Sequence, residues 1–235
     1  MLHEYVSILH DYQSIIWQSS VVTIQLALLS VLVAIVLGLV SAIAKLFGSK
    51  PLAIIADCYT TLIRGVPDLV LMLVIFYGLQ MALNSVTESL GMDQIDIDPF
   101  SAGVITIGFI YGAYFTETFR GAFMTVSKGQ IEAGVAYGFT PAQVFNKIIF
   151  PQMMRFALPG LSNNWLVTMK ATALVSIIGL VDIVKVTQDA GKGTYHFFFF
   201  TIVAGVLYLM FTTVSNLVFW WLNRVYSTGH KKAQL

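Results

Sequence analysis

Charged residues are scarce in this chain. Only 11% of its 235 residues are Asp, Glu, Lys or Arg, whereas soluble domains typically carry about 25%. Hydrophobic residues make up 57% of the sequence, and the mean hydropathy is +0.79. This composition excludes an ordinary soluble domain and predicts an integral membrane protein surrounded by lipid. The formal net charge of +1 says little about partners, and we predict no nucleic-acid partner.

Residues that carry chemistry are also few. The single cysteine, Cys58, excludes an internal disulfide and a cysteine-rich metal site. The sequence contains no GxxxxGK[ST] motif, so ATP hydrolysis is not expected on this chain. We therefore predict no enzyme activity, no catalytic residue, no metal and no cofactor. The histidines lie far apart, without metal-ligand spacing or a Ser-His-Asp set: His3, His10, His196 and His230.

Five apolar stretches are long enough to cross a membrane as helices, which takes about 20 residues each. Because lipid cannot hydrogen-bond free backbone groups, each stretch is predicted to be helical. The second is too long for one straight span and is interrupted at residues 65–67. We predict one all-α domain over residues 1–235, a bundle of five transmembrane helices. The stretches cover residues 21–44, 52–83, 100–123, 157–180 and 197–222.

Basic residues alternate between the linkers. Residues 1–20 and 84–99 contain acidic residues but no Lys or Arg, so no cleavable signal peptide is predicted and the first span is expected to act as an uncleaved signal. The positive-inside rule then predicts an N-terminus outside and a C-terminus in the cytoplasm. The linker around Lys185 gives no clear orientation, because it contains both basic and acidic residues. The basic residues on the predicted inner side are Lys45, Lys50, Lys128, Lys147, Arg155, Arg224, Lys231 and Lys232.

Some polar residues lie inside the second and fourth stretches. Arg64 and Asp68 flank an interruption where Pro67 removes a backbone donor, and such breaks are tolerated where they line a cavity. Two interpretations remain open, a gating or binding role and a structural Arg64–Asp68 ion pair. Asn163 and Asn164 offer amide groups that either hold a substrate or bridge two helices.

Glu117 lies deep in the third stretch. An ionisable group at a helix centre costs roughly 2.5–3.5 kcal/mol to insert, so it is a candidate for function. Tyr114 lies three residues earlier and shares its face. The two side chains are predicted either to receive a cationic group or to leave Glu117 pairing with Arg120 or Lys170. Asp57 is also ionisable, but the sequence assigns it no role.

The polar segment of residues 127–151 is predicted to form two short amphipathic helices. Gly138 lies where the first would need a left-handed C-terminal residue. Held at a membrane surface, two capped helices are typical of an element that docks another protein. Two capping boxes are predicted, Ser127 with Gln130 and Thr140 with Gln143.

The same segment contains Glu132-Ala133-Gly134, then Gly138, then Ile148-Ile149-Phe150-Pro151. It resembles the coupling-loop signature of permease subunits of ABC importers, with Gly in place of the second Ala and Phe in place of a Leu. In that family the loop forms helices that fit a cleft in a cytoplasmic ATPase. The resemblance therefore implies an ATPase-coupling role for Glu132, Ala133, Gly138 and Pro151.

Other runs extend the likeness over about residues 15–228. Arg64-Gly65-Val66-Pro67 and the run from Tyr111 to Glu117 resemble polar amino-acid permeases, particularly Q-type subunits of histidine and lysine/arginine/ornithine importers. Asp68 stands where such permeases more generally carry an apolar residue, which suits a cationic substrate. The resemblance implies roles in substrate binding or gating for Asp68, Glu117, Tyr114, Arg64, Asn164 and Asn163.

The resemblance also implies an architecture and partners. The fold would be a type I ABC importer permease with cytoplasmic coupling helices, in the bacterial inner membrane. An M-type permease would complete a heterodimer above two copies of an ABC ATPase, which would bind ATP and Mg²⁺, and a periplasmic binding protein would deliver the substrate. The expected substrates are histidine, arginine, lysine and ornithine. An importer of opines or other polar amino acids is the alternative, because the same fold and loop would serve it.

Overall fold

The computed structural model describes residues 2–226, and all regular structure in that range is helical, which confirms the all-α prediction. The predicted tail residues Lys231 and Lys232, and His230, lie outside the described residues. A π-helical turn, Phe145–Ile149, precedes α7, and a 3₁₀ segment, Thr172–Ile178, follows it. The α-helices are α1 Leu2–Phe47, α2 Lys50–Gly65, α3 Asp68–Ser89, α4 Pro99–Met124, α5 Lys128–Ala136, α6 Pro141–Val144, α7 Phe150–Ala171, α8 Ile183–Thr194 and α9 Phe197–Tyr226.

Four helices of the described range are long and apolar enough to cross a membrane, namely α1, α3, α4 and α9. A fifth crossing is present if α6 to the 3₁₀ segment and α8 together form one span, bent by 54°. The predicted spans lie within or across these helices. The first differs most, because helix α1 begins at Leu2, long before residue 21. No proline occurs before Pro51, so nothing in the sequence interrupts α1 earlier.

The predicted interruption of the second apolar stretch separates two helices. Val66 and Pro67 adopt extended backbone angles between α2 and α3. Helix α3 alone is 22 residues long, which is enough for one crossing. Helix α2 is amphipathic and buries Ala56, Thr60 and Ile63, which lie along one face. The polar residues of its other face are therefore free to line a cavity.

Close packing of α1 along α4 forms the centre of the bundle. A Cβ atom on Gly108 would lie 2.6 Å from Cβ of Val33, and one on Gly38 would lie 2.6 Å from Cβ of Phe115. A Cβ on Gly112 would lie 2.7 Å from the Tyr59 hydroxyl of α2. The Gly108–Gly112 spacing thus lets two helices approach α4 closely. The surrounding core includes Leu26, Ile63, Met72, Ile107, Ile110, Phe115, Phe119 and Val175.

The two ends of the bundle are built differently. At one end, called the loop end, the rings of Phe47 and Phe123 lie 6.4 Å apart, and α5 and α6 follow α4 directly. At the other end, α8 packs against the first half of α1. There, Tyr12 of α1 also contacts the ring of Phe200 on α9. Helix α4 starts there at Asp98, and the backbone N–H and hydroxyl of Ser101 hold the pKa of Asp98 below its usual range.

The α1–α4 contact yields a stability prediction. Replacing Gly108 by Ala places a methyl group against Val33 and should destabilise the chain by about 1–3 kcal/mol, as overpacking of a tight core does. Thermal unfolding of the purified protein in detergent would measure the change. Gly205→Ala is the matched control, because no described atom lies within 4 Å of a Cβ at that helical glycine. Equal unfolding midpoints for the two variants would contradict the packing argument.

Candidate functional site: a polar cleft and a paired-helix loop

A cleft of about 770 Å³ opens between the end of α1, helix α2 and helix α4. It brings together three of the predicted site residues, Arg64, Tyr114 and Glu117. Asp68, Asn163 and Asn164 do not line the cleft. The other polar side chains in its wall are Lys45, Asp57, Thr60, Thr61 and Arg120.

One ridge of α4 organises the polar contacts. Tyr111, Tyr114, Glu117 and Arg120 follow at intervals of three residues, which places them in a row that winds around the helix. Each contacts a different partner: Tyr111 bonds Asp68, Tyr114 stacks with Arg64, and Glu117 bonds Lys45. Arg120 lies nearest the loop end. The row therefore runs from the α2–α3 break to the loop end.

Lys45 connects three helices through its ammonium group. Its Nζ lies 2.7 Å from Oδ1 of Asp57, 2.7 Å from Oε1 of Glu117 and 2.6 Å from Oγ1 of Thr60. Its side chain is only 7% exposed. Ion pairs enclosed in this way must be fully hydrogen-bonded to offset the cost of removing both charges from water. Lys45 meets this condition, because an ammonium group has three donors and each has an acceptor.

Glu117 is shared by two cations. Its Oε1 accepts from Lys45, and its Oε2 accepts from Nε and Nη2 of Arg120 at 2.9 and 2.8 Å. The pairing with Arg120 was one of the two predicted alternatives. The pairing with Lys170 does not occur, and Lys170 makes no ion pair within residues 2–226.

Arg64 and Asp68 do not pair with each other. The Arg64 guanidinium lies 5.6 Å from the centre of the Tyr114 ring, and Oδ2 of Asp68 accepts a 2.7 Å hydrogen bond from the Tyr111 hydroxyl. The two tyrosine rings lie 5.5 Å apart. Neither Arg64 nor Asp68 forms an ion pair within residues 2–226. The structural ion pair considered from the sequence is therefore absent, and both charges stay available beside the break.

The two neighbouring asparagines of α7 have different environments. Asn164 is 8% exposed, and its Nδ2 donates to the Thr118 hydroxyl of α4 at 3.0 Å. Thr118 also faces Gly160, so α7 approaches α4 closely at this point. Asn163 is exposed. Asn164 thus bridges helices, the second of the roles considered for it from the sequence.

Sequence reasoning missed Lys45 as a site residue and left Asp57 without a role. Lys45 was assigned to a linker, but the structure places it in the last turn of α1. The only available signal was an acid inside a span, which requires a cation from somewhere. A partner 72 positions away leaves no trace in the local pattern of one sequence.

The loop of residues 127–151 forms two short helices, as predicted. Helix α5 ends at Ala136, and Gly138 has a φ of +79°. The N–H of Phe139 bonds the carbonyl of Gly134 at 3.0 Å, and the N–H of Gly138 bonds that of Val135 at 2.9 Å. This pair of bonds is the Schellman motif, which favours glycine at the left-handed position.

One predicted capping box is confirmed and the other is wrong. Gln143 donates its backbone N–H to the Thr140 hydroxyl at 3.3 Å, and its side-chain oxygen accepts from the Thr140 N–H at 2.9 Å. Ser127 begins α5 without a side-chain cap bond. The Gln130 N–H bonds the Ser127 carbonyl instead, at 3.1 Å, so that donor is satisfied by the backbone alone.

Two features of the loop pattern, one substitution and the proline, have local structural reasons. A Cβ on Gly134 would lie 2.6 Å from Cδ1 of Ile148, so a glycine there lets the two loop helices pack closely. Pro151 lies in the first turn of α7 and cannot donate a hydrogen bond. The preceding π-helical turn, in which the Phe150 N–H bonds Phe145, lets the helix continue past this proline.

The exposed face of the loop combines polar and apolar residues. Glu132 and Ala133 are exposed on α5, Val135 is 61% exposed and Tyr137 is 86% exposed. On its inner side, Ile131 packs against the core cluster that contains Val126 and Met153. The predicted coupling residues therefore lie on a surface that faces away from the bundle.

Comparison with known proteins places this geometry in a family. The family described as the binding-protein-dependent transport system inner membrane component matches residues 34–227. The histidine/lysine/arginine/ornithine transport system permease protein HisQ of Salmonella typhimurium is 65% identical over 196 residues, 83% of this chain and 86% of the relative. The octopine transport system permease protein OccQ of Rhizobium radiobacter is 38% identical over 181 residues, 77% and 76% of the two chains.

A solved structure agrees with the sequence relatives. The crystal structure of an amino acid ABC transporter with histidines superposes with a TM-score of 0.78 at 29% identity, and the match covers 94% of this chain and 97% of that one. The chain thus belongs to the family of inner membrane components of binding-protein-dependent transport systems. It is a permease subunit of an ABC transporter with the type I fold, as the sequence predicted.

The bridging role of Asn164 yields a prediction. Asn164→Leu and Thr118→Val should each destabilise the protein, and a double-mutant cycle should give a coupling energy of about 0.6 kcal/mol, typical of hydrogen bonds between membrane helices. Unfolding in detergent would measure the three variants. Strictly additive effects would show that the hydrogen bond contributes nothing. Asn163→Leu, at the exposed neighbour, is the control for the change of residue type.

Proposed function

We propose that this chain is the Q-type permease subunit of an ATP-driven importer that carries histidine, arginine, lysine and ornithine across the bacterial inner membrane. The observation that carries the proposal is the unpaired state of Asp68 and Arg64 beside a polar cleft. The 65% identity to HisQ supports the same substrate class. The carboxylate of Asp68 would match the cationic side chain of a basic amino acid, and the guanidinium of Arg64 would match its carboxylate.

Asp68 is the better acidic candidate for contact with the substrate. Glu117 already bonds Lys45 and Arg120, whereas Asp68 accepts only a neutral hydroxyl from Tyr111. A cationic side chain would therefore gain most at Asp68, because charge-assisted hydrogen bonds exceed neutral ones in strength. Arg64 would bind the substrate carboxylate, and Tyr114 would hold the guanidinium of Arg64 in place by stacking. Glu117 would act in gating rather than first contact.

The family supports a set of partners. We expect an M-type permease as the second half of a heterodimer, two copies of an ABC ATPase that binds ATP and Mg²⁺, and a periplasmic binding protein. The alternation of basic residues supports an N-terminus in the periplasm and a C-terminus in the cytoplasm. With that orientation, the loop end with α5 and α6 faces the ATPase, and α8 faces the binding protein.

The alternative substrate class is an opine or another polar amino acid. The 38% identity to OccQ over most of both chains favours it as the second candidate. The two proposals differ in what Asp68 does. It contacts the substrate if the cargo is a cationic amino acid, and it has no direct contact if the cleft accepts polar amino acids of any charge.

The substrate class predicts a charge-selective effect at Asp68. Asp68→Asn keeps the size of the side chain and the bond to Tyr111, but removes the charge. Arginine uptake should fall by about tenfold, since a hydrogen bond to a charged group contributes roughly 1.5–3 kcal/mol. Histidine uptake at about pH 8 should fall less, because the imidazole pKa is near 6.5. ATP-dependent uptake of labelled amino acids into vesicles holding the four-subunit complex and its binding protein would measure both.

Asp189→Asn is the matched control for this experiment. Asp189 is half-exposed and pairs with Lys185 and Lys192 on α8, away from the cleft, so its loss should leave the arginine-to-histidine ratio unchanged. An equal fall in arginine and histidine uptake for Asp68→Asn would favour the opine alternative. Unchanged uptake would move the substrate contact to the partner permease.

The loop geometry predicts a coupling defect at Gly138. Gly138→Ala strains the left-handed position by about 1 kcal/mol and shifts the end of α5, where Tyr137 is exposed. The complex should still insert, but substrate-stimulated ATP hydrolysis should drop by several-fold relative to native. Gly129→Ala, in the first turn of the same helix, is the control because a Cβ there meets only the Ser127 hydroxyl at 3.8 Å. Native-like stimulation in both variants would remove the coupling assignment.

A further inference from the structure

Lys45 already occupies the place where a cation would bind in the cleft. Two carboxylates, of Asp57 and Glu117, and the Thr60 hydroxyl surround its ammonium group at 2.6–2.7 Å. This arrangement is what a free ammonium or guanidinium group would seek. The residue is attached to the end of α1, one residue before Leu46 and two before the terminal Phe47. It is therefore a cation tethered next to the short connection between α1 and α2.

The charges around Lys45 balance. Asp57, Lys45, Glu117 and Arg120, called the quartet here, contain two acids and two bases linked in a row. Asp57 is 67% exposed and Arg120 is 37% exposed, so the quartet opens to the cleft at both ends. A further cation gains little from a neutral set unless it replaces one of the cations present. Lys45 and Arg120 are the two that it can replace.

The quartet lies on the route between the break and the loop end. Glu117 is one helical turn from Tyr114, which stacks with Arg64, and Tyr111 with Asp68 follows one turn further. Both the quartet and the Arg64–Tyr114 pair line the same cleft. A solute that moves from Asp68 towards the loop end therefore passes Glu117 and Asp57.

We propose that the side chain of a cationic substrate displaces Lys45 from Glu117 and Asp57 during this passage, and that Lys45 returns when the substrate leaves. The inference rests on the proposed substrate class. Exchange of one cation for another leaves neither carboxylate without a cation, so neither incurs the large cost of a lone enclosed negative charge. It also prevents tight trapping, because Lys45 competes for the same oxygens. Passage requires binding that is weak enough for release.

The proposal predicts opposite effects for the two halves of the central pair. Lys45→Met leaves the quartet with an excess negative charge, so the complex should bind arginine about fivefold more tightly and transport it more slowly. Glu117→Gln leaves an excess positive charge, so arginine binding should weaken by about fivefold. The double variant restores neutrality through Asp57 and Arg120 and should return towards native affinity.

The experiment measures equilibrium binding of labelled arginine, and of histidine at about pH 8, to the purified four-subunit complex without binding protein, with vesicle uptake alongside. Histidine at that pH is mostly neutral and should respond little to either variant. Lys50→Met, an exposed lysine at the start of α2, controls for loss of a basic residue and should behave as native. If Lys45→Met fails to assemble, Lys45→Arg keeps the charge and should keep native selectivity, while Glu117→Gln still tests the sign.

The outcomes separate this inference from the function on which it rests. Opposite shifts in arginine affinity for the two single variants, with little change for histidine, would support it. Shifts in the same direction, or equal shifts for arginine and histidine, would make the quartet a purely structural clamp and overturn the inference while native uptake stands. If the native complex took up neither arginine nor histidine, the proposed substrate class would itself be wrong.

Discussion

Lipid offers no hydrogen bonds to a free backbone group, and the placement of every irregular segment in this bundle follows from that constraint. The break at Val66 and Pro67 directly follows Arg64 and Gly65, which line the polar cleft. The 3₁₀ segment after α7 packs its Val175 against Gly103 of α4. The π-helical turn lies at the loop end, beside the short helices. Within residues 2–226, these three irregular segments thus lie next to the cleft, against another helix or at the loop end.

The same constraint applies to charge. Glu117 is paired with two cations, Lys45 of α1 and Arg120 of its own helix. Lys45 is surrounded by three acceptors from α2 and α4. Asp68 and Arg64, beside the cleft, are among the exceptions, because Asp68 contacts only the Tyr111 hydroxyl and Arg64 only the Tyr114 ring. A membrane protein keeps uncompensated charges inside its spans at a cost, which is why these two carry the substrate proposal.

Local features of the chain were predictable, whereas contacts between distant residues were not. The Thr140–Gln143 box and the left-handed Gly138 follow from residue type and short spacing, and both formed. The Ser127–Gln130 pattern also has a hydroxyl residue three positions before a Gln, but its cap bond is absent because the backbone supplies the partner. The prediction of one interrupted span over residues 52–83 also missed that α2 is amphipathic, with one buried face.

The candidate site was predicted in part. Arg64, Tyr114 and Glu117 were selected because charge and aromatic groups inside a span demand a reason, and all three line one cleft. Their partners came from other helices, and only the three-dimensional packing brings Lys45 to Glu117. Asn164 shows the converse case, in which a polar group inside a span serves helix packing.

The length of α1 determines how the protein sits in a bilayer. Its 46 residues extend over about 69 Å, more than twice the roughly 30 Å of a hydrocarbon core, so at the usual tilts of about 0–40° part of the helix lies outside the core. Its depth must therefore be set by side-chain contacts with other helices, with Lys45 near the loop end and the contact of Tyr12 with Phe200 of α9 towards the other. Hydrophobic mismatch sets the position of an ordinary span because the length of that span is close to the bilayer thickness. It does little to set the position of α1, which is much longer. The lengths of α3, α4 and α9 therefore set the depth of the subunit in the bilayer, whereas α1 crosses the bilayer and extends beyond it.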